Sequence, residues 1–65
     1  MKNKLMTEVR YKEITKEIEK NIKLLQKKLI KHKTDFKKTP SNWGFVGDVS
    51  YINEKLVEVN TFLKY

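Results

Sequence analysis

Residues 37–48, Lys-Lys-Thr-Pro-Ser-Asn-Trp-Gly-Phe-Val-Gly-Asp, decide the fold. They hold the chain's one proline, Pro40, and both its glycines, Gly44 and Gly47. These two residue types are the strongest local breakers of regular structure. All the punctuation of a 65-residue chain therefore sits in one window, which separates two uninterrupted segments.

Both segments carry helical periodicity. Before the window, Ile18, Ile22, Leu25, Leu29, His32 and Phe36 recur at spacings of 4, 3, 4, 3 and 4, and Tyr11 and Ile14 extend the seam toward the N-terminus. After it, Phe45, Val49, Ile52, Leu56, Val59 and Leu63 repeat the same spacing. Such a pattern puts the apolar side chains on one helix face. Asp48 after Gly47 offers one start for the second helix. Phe45, however, is already in phase with the seam, which favours a start near Asn42 with Ser41 or Asn42 as N-cap. Gly44 and Gly47 then fall within the first two turns, each costing about 1 kcal/mol relative to alanine.

Two amphipathic helices joined by a few residues predict an all-α antiparallel helical hairpin, helix 1 over about 5–37 and helix 2 over about 42–64, in one domain, 1–65. Matching the seams pairs Phe36 with Phe45, Leu29 with Ile52, Ile22 with Val59 and Ile18 with Leu63. The same register places Lys33 beside Asp48 as an exposed ion pair. Residues before about Lys16 then lack a partner in their own chain, leaving Leu5, Met6, Val9, Tyr11 and Ile14 uncovered. An uncovered apolar stripe marks an interaction surface. A chain this small rarely builds a sufficient core alone. Both points predict a homodimer forming a helical bundle, with that stripe and Trp43 at the interface.

The composition excludes several classes. There is no cysteine, hence no disulfide framework and no thiolate metal site. That fits a reducing cytoplasm. No apolar run exceeds two residues, too short for a membrane span or a signal-peptide core. Nucleophile candidates are Ser41, Ser50 and the threonines, with His32 as the single possible base, and His32 lies on the seam, where a structural role is expected. No phosphate-binding loop follows the glycines. The chain reads as non-enzymatic, with no catalytic residue, no metal and no cofactor.

Charge is more informative. Charged residues make up 35% of the chain, against about 25% in ordinary domains. The net charge is +7. Residues 20–38 hold eight lysines against Asp35 alone, so the basic excess is concentrated on the second half of helix 1 and the loop. Lys16, Lys20, Lys23, Lys27, Lys28 and Lys31 are the candidate nucleic-acid-binding residues. Lysine is a point charge without arginine's bidentate fork, which suits phosphates over base edges. Aromatics are not interleaved with it, so base stacking is not expected. An acidic protein partner and a merely solvated basic face are the competing readings. Membrane binding is not expected, because the apolar face is claimed by helix 2.

The segment Asn42-Trp43-Gly44-Phe45-Val46-Gly47-Asp48, with Ile52-Asn53 and Leu56 after it and Phe62-Leu63 at the end, is the most distinctive. Trp43, Gly47 and Ser50 share one helix line, where Trp43 either closes the loop end of the core or stands as a partner-binding knob. Over residues 42–63 this resembles the C-terminal half of short uncharacterised proteins encoded by phages and plasmids. The resemblance implies a phage or mobile-element origin and a place in the host cytoplasm. The hairpin architecture is also similar to RNA-binding plasmid hairpins of the Rop type, which dimerise into four-helix bundles. The expected function is that of an accessory protein whose lysine face binds nucleic acid with low sequence specificity. A small inhibitor or adaptor that docks on a host protein is the alternative.

Overall fold

The computed structural model describes residues 2–64, and the side chains of residues 5–64. Helix α1 runs Lys2–Lys38 and helix α2 runs Trp43–Phe62, with no strand among the described residues. The architecture is all-α and compatible with a helical hairpin. Helix α1 contains neither glycine nor proline, and nothing interrupts its ladder over 37 residues. It stops at Lys38, two residues before Pro40, because the residue preceding a proline disfavours helical dihedrals. Lys37 and Lys38 occupy its last turn, where positive charge complements the helix dipole.

The connection is a turn built on Pro40. The Thr39 amide donates to the Phe36 carbonyl at 3.0 Å, and the Asn42 amide donates to the Thr39 carbonyl at 3.1 Å. Proline at the second position of such a turn has the required φ already in place. Asn42 then caps α2 from an extended conformation (φ −83°, ψ 107°). Its Oδ1 accepts from the Gly44 amide at 2.8 Å. The early start is thus the one adopted, and Asp48 is not a cap but lies in the second turn. A Cβ at Gly44 would stand 3.0 Å from Asn42 Oδ1, so the glycine keeps that oxygen in bonding position. At the other end the Leu63 amide closes the helix on the Val59 carbonyl at 3.1 Å.

The chain divides into two units, residues 1–31 and 32–65. The first is α1 alone up to Lys31. Among its described side chains none is buried, and Thr15, Leu25 and Leu29 are half-covered. Ile18 and Ile22 are each 50% exposed.

The second unit holds the end of α1, the turn and α2. Here the Phe36 and Phe45 rings meet edge to face at 6.0 Å, as the seam register predicts. The His32 ring meets Phe45 the same way at 5.2 Å. Pairs of this geometry contribute about 0.5–1.5 kcal/mol beyond the area they cover. The register needs one correction. Asp48 Oδ2 lies 3.0 Å from His32 Nε2, and it is His32, not Lys33, that takes the carboxylate. His32 is held beside Asp48 by its contact with Phe45. A flexible lysine would lose more side-chain entropy to reach the same place. Farther along α2, Ile52 is half-covered, while Leu56, Val59 and Leu63 are exposed. Among the described residues none is fully buried.

Candidate functional site

An α-helix advances about 100° per residue, so a continuous α1 fixes the direction of every side chain on it. Taking Lys16 as origin, Lys20, Lys23, Lys27 and Lys31 all fall within about 60° of it. The seam residues Ile18, Ile22, Leu25 and Leu29 cluster about 180° away. The five lysines are exposed and form one line on the side of α1 opposite its apolar seam. At 1.5 Å per residue the line is roughly 22 Å long. No acidic residue lies on it between Lys16 and Lys31, for Glu17 and Glu19 flank it on either side.

Each step of the line is an i,i+3 or i,i+4 like-charge pair: Lys16–Lys20, Lys20–Lys23, Lys23–Lys27 and Lys27–Lys31. Such pairs destabilise a helix by about 0.2–0.5 kcal/mol each. Glu13, Glu17 and Glu19 stand three or four residues from Lys16, Lys20 and Lys23 and offset part of this conflict at the N-terminal end of the line. Lys28, the sixth candidate, does not belong to the line. It projects about 100° round the helix from Lys27, at the edge of the apolar seam.

The N-terminal apolar residues also separate. Tyr11 and Ile14 continue the seam. Leu5 and Val9 fall on the lysine line, about 140–180° away from it, and Met6 lies beside them. Leu5, Met6, Val9, Arg10 and Glu13 line one shallow apolar hollow. Met6 also lines a second hollow with Thr7, Arg10 and Tyr11, and so lies between the Leu5–Val9 side and the Tyr11–Ile14 side. The 100° step was available in the sequence once the helix was known to be unbroken from Lys2.

Trp43 does not close the core. It is 80% exposed on the first turn of α2, and Gly47 on the same line has open space around it. The His32 ring stands edge to face against Phe45, with Nε2 3.0 Å from Asp48 Oδ2. Among the described residues no three histidine or carboxylate side chains gather as a metal-holding group. No helix of the described residues is long and apolar enough to cross a membrane. Compared with known families, with curated proteins and with solved structures, the chain finds no match in any of the three.

Proposed function

We propose that this is a non-enzymatic accessory protein of a phage or mobile element, acting as a homodimer in the host cytoplasm and binding nucleic acid with low sequence specificity. The observation that carries the reading is the uninterrupted line Lys16, Lys20, Lys23, Lys27 and Lys31, exposed and opposite the seam. Ammonium groups on a helix can follow a phosphate backbone, releasing its condensed counterions. Contacts of this kind position the protein without reading bases.

The test is a binding titration with labelled duplex DNA and duplex RNA at two salt concentrations. Five phosphate contacts give a log–log salt slope near −4.5, or roughly a 500-fold loss of affinity between 50 and 200 mM salt. Failure to bind either duplex at 50 mM overturns the reading.

The exposure of Trp43 supports a second reading, an inhibitor or adaptor that docks on a host protein through this tryptophan. Aromatic anchors of that type dominate protein interfaces. Docking through Trp43 would be nearly insensitive to salt, and an acidic partner gripping the lysines would not.

A further inference from the structure

We propose that α2 pairs antiparallel with α2 of a second copy of this chain, through a second face about 110° round the helix from its seam. The pairing rests on the homodimer proposed above and adds its surface and direction. Trp43, Val46, Ser50, Asn53, Val57 and Asn60 recur at spacings of 3, 4, 3, 4 and 3. That is the heptad spacing of a contact between two helices. All six are exposed. None is charged, in a chain that is 35% charged. The charges of α2, Asp48, Glu54, Lys55 and Glu58, fall instead within an arc of about 120° on its other side. Ser50 and Asn53 at the middle of the face are polar, which does not suit a lipid surface, and the face offers no charge to an acidic or a basic partner.

The face matches itself. In an antiparallel copy centred between Ser50 and Asn53, Val46 meets the partner's Val57, and Ser50 meets the partner's Asn53. Each contact occurs twice by the twofold axis. A hydroxyl and a carboxamide both donate and accept, so the polar layers are satisfied across the pair. On one flank Val49 and the partner's Leu56, both exposed, come level to within about 3 Å of rise and add apolar surface. On the other flank Glu54 comes equally near the partner's Gly47, where a Cβ would have open space. Glu54 and its own twin stand about 7.5 Å apart along the axis. Trp43 and Asn60 fall in the first and last turns, at the two ends of the pair, where solvent reaches them. Charge sets the direction. A parallel copy would place the two turns side by side, with Lys37 and Lys38 of both chains about 8–10 Å apart. The antiparallel copy moves the turns to opposite ends, roughly 25 Å apart and well beyond the screening length of about 8 Å at physiological salt. Each turn then neighbours the last turn of the partner helix, which carries no basic residue.

The chain has no cysteine, so introduced thiols report neighbours cleanly. The variants Val46→Cys and Val57→Cys are oxidised separately and as an equal mixture, without nucleic acid, and run on a non-reducing gel. In the antiparallel pair Val46 is level with the partner's Val57, while each lies about 16.5 Å along the axis from its own twin. The expected result is that each variant alone stays at 7.8 kDa and the mixture shifts to twice that mass. Cross-linking of each variant alone means a parallel pair and overturns the proposal. Val46 also borders the hollow over Phe36 and Phe45, so a substitution there can disturb the turn. Ser50→Cys and Asn53→Cys, at exposed polar positions, are therefore mixed in the same way. That mixture should give more cross-linked product than either variant alone, and no excess refutes the pairing. Sedimentation of the parent protein at the same concentration separates the two levels of the reading. A monomer refutes the homodimer itself, whereas a dimer whose mixtures fail to cross-link refutes the α2 pairing alone. None of these outcomes depends on whether the lysine line binds a polyanion.

Discussion

Replacing two lysines of the line should weaken binding while raising stability, a combination that a merely structural role cannot produce. The variant Lys20→Gln/Lys27→Gln keeps good helix formers at both positions. It removes all four like-charge steps of the line, worth about 0.2–0.5 kcal/mol each, together with one attractive pair of similar size, Glu17–Lys20, so the helix should be stabilised by about 0.5–1.5 kcal/mol. For binding, each phosphate contact contributes about 0.9 to the slope of log K against log salt. The slope should fall from near −4.5 to near −2.7. Affinity relative to the parent should drop roughly 200-fold at 50 mM salt, 60-fold at 100 mM and 20-fold at 200 mM, by the same counterion-release relation. Fluorescence anisotropy with two unrelated duplexes, alongside circular-dichroism melts, reads all of these. The losses should match between the two duplexes, because phosphate contacts carry no base information. An unchanged slope, or a loss confined to one sequence, refutes the phosphate-tracking argument.

Other outcomes follow from the turn and from the surfaces. Asn42→Ala should cost about 1 kcal/mol by removing the cap of α2. Gly44→Ala should bring no gain in the parent, where the new Cβ meets Asn42 Oδ1 at 3.0 Å, yet stabilise the Asn42→Ala background by about 0.5–1 kcal/mol, a coupling that a double-mutant melt measures. Phe45→Ala, which removes both ring contacts, should cost about 2 kcal/mol, whereas Asp48→Asn should stay within about 1 kcal/mol because that carboxylate is 63% exposed. Trp43→Ala should leave the melting temperature almost unchanged, within about 0.5 kcal/mol, as for other exposed substitutions.

Much of this protein was legible without coordinates. The absence of glycine and proline outside residues 37–48 implied two helices, and the phase of Phe45 implied that α2 begins before Asp48. Both are consequences of local backbone preference and of a period that apolar residues must keep to share a face. The Phe36–Phe45 contact followed from the same phase, because a short turn leaves the ends of two helices little freedom in register. The partner of Asp48 was not legible. Lys33 and His32 are adjacent in sequence, and the choice between them depends on which side chain a neighbouring ring has already immobilised. Nor was the exposure of Trp43, since helical spacing gives a direction around α2 but not what lies in that direction. The separation of Leu5 and Val9 from Tyr11 and Ile14 stands between the two cases. The 100° step is a property of any helix, but only an α1 unbroken from Lys2 carries that step through the N-terminal residues and turns one apparent stripe into two faces.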